Sequence, residues 1–127
     1  MIYKKSVSTA GAPAAIGPYT QAVIYEQLIL CSGQIGLDPK TGEMAGPDSE
    51  TQMRQVMQNL GEVLRAAGSS WDRVLKCTIY LADMEDFAVV NKIYGDYFPD
   101  NPPAREAVAV KSLPKNALIE VSCMAHR

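Results

Sequence analysis

The chain has 127 residues, 47% hydrophobic and 20% charged, a balance that supports one compact domain spanning residues 1–127 with a single core. Fourteen acidic against twelve basic residues give a net charge of -2, and no run of Lys or Arg is dense enough to neutralise several phosphates, so nucleic-acid binding is not expected. No stretch approaches the roughly twenty apolar residues of a membrane span, and the first nine residues lack the apolar run of a secretory signal; the expectation is a soluble, cytoplasmic protein that binds no membrane.

The cysteines Cys31, Cys77 and Cys123 are far apart and odd in number, which fits neither a disulfide framework nor a CxxC motif. The only histidine, His126, is next to last. A zinc site or a Ser-His-Asp triad would therefore lack its usual imidazole in the body of the fold, and both chemistries are set aside.

In chain order, residues 22–33 contain two apolar runs meeting at Glu26-Gln27 and read as a hairpin. From Met53 onward Val56, Met57, Leu60, Val63, Leu64 and Ala67 recur at spacings of three and four, which predicts an amphipathic helix. Ser49 with Gln52 supplies a capping box at its start, and Gly68 suits the left-handed residue at its end. The segment Val74–Leu81 alternates, with Leu75, Cys77, Ile79 and Leu81 on the dry side. Asp83 then caps a second helix carrying Phe87, Val90, Tyr94 and Tyr97 on one stripe, which ends at Pro99, Pro102 and Pro103. Strands over 104–110 and 118–124, joined by the turn Leu113-Pro114-Lys115-Asn116, complete the series.

Strand, strand, helix, strand, helix, strand, strand predicts an α+β fold: a single mixed sheet with both helices on one face. Alternation in the last strand puts Ile119, Val121 and Cys123 in the core and turns Glu120, Ser122 and Met124 to the open face. Assigning Val108 and Val110 to the core places Arg105, Ala107 and Ala109 beside Glu120 on that open face. With Leu28, Leu30 and Met124 also there, the face is too apolar to stay in water, so a homo-oligomer formed through it is expected.

Several residues carry candidate chemistry. Arg105 follows the stiff segment Asn101-Pro102-Pro103-Ala104 and has the fork geometry that clamps a carboxylate; taken alone, an Arg in such a strand more often pairs with an acid at a subunit contact. Glu120, set in Leu118-Ile119-Glu120-Val121, is costly unless paired or used to activate water; Arg105 and Lys76 are its candidate partners. Gly33 and Gly36 in Ser32-Gly33-Gln34-Ile35-Gly36 let backbone N–H groups approach a small anion, although such a segment is most often just a turn. Tyr19 offers a phenol from the loop Ile16-Gly17-Pro18-Tyr19-Thr20-Gln21, and Asn91 interrupts the apolar side of the second helix.

Taken together these segments resemble the RidA/YjgF family along nearly the whole chain. The resemblance lies in Ile16-Gly17-Pro18-Tyr19-Thr20-Gln21-Ala22, Ser32-Gly33-Gln34-Ile35-Gly36, Ala66-Ala67-Gly68, Asn91 with Tyr94, Pro103-Ala104-Arg105, Leu113-Pro114-Lys115 and Ile119-Glu120-Val121. It implies a chorismate-mutase-like fold assembled as a homotrimer with sites between subunits, and hydrolysis of reactive 2-imino acids to 2-oxo acids and ammonia without cofactor or metal. By position, Arg105 would hold the substrate carboxylate and Glu120 would position water and pass protons. Tyr19, Ser32, Gly33 and Asn91 would complete the pocket, with Ala107, where relatives often carry Cys, contributing its backbone carbonyl. The alternatives are a regulatory module that binds a small 2-oxo acid without turnover and, less favoured by charge, an endoribonuclease.

Overall fold

A computed structural model describes residues 3–127. Its strands are β1 (Lys5–Val7), β2 (Ala22–Tyr25), β3 (Leu28–Gln34), β4 (Val74–Leu81), β5 (Ala104–Ala109) and β6 (Ile119–His126); the helices are α1 (Ser49–Ala66) and α2 (Phe87–Asp96). The six strands form one sheet in the order β1-β2-β3-β6-β4-β5. Only β4 and β5 run parallel, joined through α2, so the sheet is mixed as expected. Both helices lie on one face, α1 packing on β3, β6 and α2. Strand β1 was not expected: it is three residues long, and of these only Val7 is buried, too little to raise a periodic signal.

The core forms where the apolar stripe of α1 meets the helix-facing residues of the central strands. Met53, Val56, Met57, Leu60, Val63 and Leu64 are fully buried against Ile29, Ile79, Leu81, Ile119 and Val121. All three cysteines are buried free thiols in this layer. The β2–β3 hairpin turns at Glu26-Gln27, with Glu26 in the left-handed region at φ 55°. Gly68 likewise takes φ 83° just past α1.

Three local expectations are corrected. The cap of α1 is Asp48, whose carboxylate accepts from the Thr51 N–H at 2.7 Å, not a Ser49–Gln52 box. Gln52 is buried and used elsewhere: its amide donates to the Gly46 carbonyl and accepts from the Leu118 N–H, both at 2.9 Å, tying α1 to the entrance of β6. We therefore expect Asp48→Ala to lower the urea midpoint measurably and Ser49→Ala to leave it nearly unchanged; equal losses would restore Ser49 as the cap. In β4 a register shift between Val74 and Lys76 turns Leu75 outward, 45% exposed, and buries Val74 in its place. Asp83 caps the short 3-10 turn Met84–Asp86 that leads into α2, accepting from Glu85 N–H, rather than α2 itself.

The parity of the last two strands decides the layout of the site. In β6 it is as expected: Ile119, Val121 and Cys123 are buried, and Glu120 and Ser122 are turned to the open face. In β5 it is inverted. Arg105 is the register partner of Cys77 and Ala107 that of Ile79, both buried on the helix side; Val108 pairs with Tyr80, which in turn pairs with Glu120 on the open side. The reason is that β5 is an edge strand and the open face is itself apolar, so two valines there carry no parity signal. Leu28, Leu30, Val108 and Met124 are each between 41% and 47% exposed on that face.

Candidate active site

One half of the site surrounds Glu120. A cavity of about 660 Å³ is lined by Tyr19, Ser32, Gly33, Pro114, Lys115 and Glu120, with Ile16, Ile35 and Leu37 as an apolar wall. Its walls are fastened from behind. Buried Gln21 accepts from the Thr9 N–H at 2.7 Å and donates to the Pro13 carbonyl at 2.7 Å, clamping the loop that presents Tyr19. Buried Asn59 on α1 donates to the carbonyls of Ile35 and Leu37 at 3.2 and 2.8 Å, fixing the segment that follows β3. The Ser32 hydroxyl donates to the Thr20 carbonyl at 2.6 Å and its N–H to the Gln21 carbonyl at 3.0 Å, which joins the two walls.

Ser32 and Gly33 are the residues that a register shift between β3 and β6 leaves without partners on β6. Gly33 is needed for a reason the sequence does not display: a Cβ there would stand 2.0 Å from Oε2 of Glu120. The carboxylate occupies the place where a side chain would be. Gly36 serves α1 instead, since its Cβ would meet the Gln52 backbone oxygen at 2.8 Å. Burial alone raises the Glu120 pKa above the usual range, and no neighbouring charge offsets it. Lys76, one candidate partner, is paired with Glu106 at 3.0 Å.

The other half surrounds Arg105. Its guanidinium lies 5.4 Å from the ring centroid of Phe87 and 5.0 Å from that of Tyr94, and its Nη1 donates to Oδ1 of Asn91. The three residues, spaced four and three apart, form one face of α2. Among the described residues the only ion pairs are Arg65–Glu62 and Lys76–Glu106, and none of those residues offers Arg105 an acid partner. Ala107 follows on the same side, half-buried against the core. The expectation that Arg105 and Glu120 share a face is thus corrected: they lie on opposite faces, two strands apart, or about 10 Å in the sheet direction alone.

The sequence profile of the family described as endoribonuclease L-PSP matches residues 9–127. Over 124 residues the chain is 48% identical to Reactive Intermediate Deaminase A, chloroplastic, of Arabidopsis thaliana, covering 98% of this chain and 66% of that one. It is 45% identical to the human 2-iminobutanoate/2-iminopropanoate deaminase, covering 98% and 90%. The chain belongs to the RidA/YjgF family. A crystal structure from Entamoeba histolytica bearing the endoribonuclease L-PSP description superposes with a TM-score of 0.96 at 50% identity, covering 98% of this chain and all of that one.

In this RidA/YjgF chain the seven residues expected in the site fall into two groups: Tyr19, Ser32, Gly33 and Glu120 in one, Asn91, Arg105 and Ala107 in the other. Sequence reasoning missed Phe87 and Tyr94 as neighbours of Arg105, because aromatic residues on a helix stripe read as core. It also missed Pro114 and Lys115 as cavity lining; two consecutive left-handed residues, Lys115 and Asn116, both at φ 56°, hold that loop against the cavity. Gly33→Ala is expected to displace the Glu120 carboxylate and reproduce the kinetic defect of a Glu120 variant in a folded protein. A Gly33→Ala variant with normal turnover would show that the carboxylate's position is not used.

Proposed function

We propose that this RidA/YjgF protein is a 2-iminobutanoate/2-iminopropanoate deaminase, a cytoplasmic imine hydrolase that works as a homotrimer with each site built between two subunits. The observation that carries the proposal is the guanidinium of Arg105, held by two rings and an amide and without an acid partner among the described residues. A guanidinium so placed suits a small carboxylate, which it binds through two parallel hydrogen bonds. The relative named as a 2-iminobutanoate/2-iminopropanoate deaminase, at 45% identity, and the one named as a reactive intermediate deaminase, at 48%, support the reaction.

The opposite placement of Arg105 and Glu120 supports an intersubunit site. Laying the open face of one copy against the Arg105 edge of the next would bring the two half-sites together and take the apolar residues Leu28, Leu30 and Met124 out of water. In such a site Arg105 holds the carboxylate of the substrate and Glu120 of the other subunit holds water against the C=N carbon. Glu120 takes a proton from the water as its oxygen bonds to carbon and gives it to the imine nitrogen; it then takes the proton of the new hydroxyl and passes it to the same nitrogen as the C=O bond forms and the C–N bond breaks, and 2-oxo acid and ammonia leave. Tyr19, Gly33 and the Ala107 carbonyl border the reacting atoms. A carboxyl whose pKa burial has raised is suited to both halves of that exchange.

The family description invites RNA cleavage as a second reading. A net charge of -2 and a sole histidine at 126, exposed at the end of β6, give it little support. The test is release of 2-oxobutanoate and ammonia from imine generated in situ from threonine. Acceleration over the spontaneous rate is expected; none from an assembled protein would remove the deaminase and leave a carboxylate-binding module.

A further inference from the structure

We infer that Phe87, Asn91 and Tyr94 are a positioning cage for Arg105, built on one face of α2 to fix the guanidinium plane before substrate arrives; this rests on the reading above, in which Arg105 meets a carboxylate.

Arg105 stands on an exposed edge strand, where a long flexible side chain has many rotamers and no acid to hold it. Among the described residues, the side chains that restrain it are those of α2. Phe87 at 5.4 Å and Tyr94 at 5.0 Å present ring faces that attract the cation and block other orientations, while Asn91 Oδ1 takes one N–H from Nη1. Of the five guanidinium N–H donors, four remain, enough for a two-point grip on a carboxylate. An acid in the place of Asn91 would itself take the fork that the substrate needs; a neutral amide orients without competing.

Tyr94 gives the sharpest sign that the ring matters and the phenol does not. Its hydroxyl is buried without a well-formed hydrogen bond, lying against the Cys77 thiol, whose pKa burial pushes up to about 11. A buried hydroxyl in such a place adds nothing to stability. The ring, in contrast, touches both the guanidinium and Phe98. Phe87 is half-buried beside α2's first turn and closes the other side.

The test is calorimetric titration with 2-oxobutanoate, which reads carboxylate binding whether or not turnover occurs, alongside imine-hydrolysis kinetics of the same variants. Phe87→Leu and Tyr94→Leu are expected to weaken Kd and raise KM together, by roughly three- to thirtyfold, with kcat changed less than about twofold. Tyr94→Phe, which keeps the ring, is expected to recover what Tyr94→Leu loses. Asn91→Asp should weaken binding more than Asn91→Ala. If Tyr94→Leu does not fold, Phe87→Leu decides alone, because its ring is only half-buried. Unchanged carboxylate affinity in Phe87→Leu, or a Tyr94→Phe variant as impaired as Tyr94→Leu, would overturn the cage while leaving the deaminase intact. A wild-type protein that binds 2-oxobutanoate and loses it in Phe87→Leu, yet never accelerates imine hydrolysis, would keep the cage and sink the deaminase; a wild type that does not bind the carboxylate would remove both.

Discussion

Arg105→Ala is expected to lower kcat/KM for 2-iminobutanoate by about a hundred- to a thousandfold, the cost of losing a two-point charged hydrogen bond to the substrate, about 3 to 4 kcal/mol. The fold should be nearly indifferent. Arg105 is on an edge strand, pairs with no acid among the described residues, and leaves behind a cage of side chains that remain anchored by α2. The melting temperature should therefore move by no more than a few degrees, and the oligomer should persist. Arg105→Lys is expected to recover little, since an ammonium cannot reproduce the planar fork. Loss of assembly in Arg105→Ala, with residual chains still hydrolysing imine at the normal rate, would return Arg105 to a structural role.

Glu120→Gln is expected to do the reverse to stability and nearly the same to activity. Removing the group that exchanges protons should lower kcat about a hundred- to ten-thousandfold. Burial raises the folded pKa of Glu120, so folding favours its neutral form. The resulting cost is absent below the ordinary value of about 4.3, grows as pH rises toward the folded pKa, and persists in full above it. The amide carries no such cost. Glu120→Gln should accordingly melt higher than wild type at pH 7, with the difference shrinking as pH falls through the carboxylate range. In the wild type, the acid limb of kcat should have its midpoint above the ordinary glutamate value and vanish in the variant. A variant that is less stable at pH 7, with an unchanged acid limb, would show that Glu120 is held for structure.

Most of the fold was legible because most of it is periodic. Spacings of three and four in α1 and of two in β4 and β6 reflect surfaces with one clear dry side, and Glu26-Gln27 and Gly68 mark the turns where the backbone takes positive φ. Legibility failed where a sheet face was ambiguous. Strand β5 has apolar residues on both sides, since one side meets α2 and the other an apolar open face, so alternation alone could not say which way Arg105 points. The exposed guanidinium of Arg105 lies over the rings of Phe87 and Tyr94, which gives the charged side chain a place on the helix side.

The site was legible as a set of residues and illegible as an arrangement. Tyr19, Ser32, Gly33 and Glu120 were named without the sequence indicating that Gly33 makes room for the carboxylate, a contact across a register shift that no local pattern encodes. Phe87 and Tyr94 were read as part of one stripe of the second helix, and Tyr94 is indeed buried; its second surface, toward Arg105, depends on where α2 lies relative to β5. Polar anchors behind the walls, Gln21 and Asn59, were equally silent, because a glutamine or asparagine fully committed to backbone groups looks in sequence like any surface amide.

The central claim is that Arg105 and Glu120 act together only across two copies of the chain, and subunit mixing tests it most directly. Arg105→Ala and Glu120→Gln, each inactive alone, would be unfolded together in equal amounts, refolded and assayed for imine hydrolysis. Sites shared between neighbours should recover about a quarter of wild-type activity, since each site then draws an intact Arg105 and an intact Glu120 independently with even odds. Activity no greater than the sum of the two variants, from a mixture shown to have reassembled, would contradict the account and require both residues to serve the same chain.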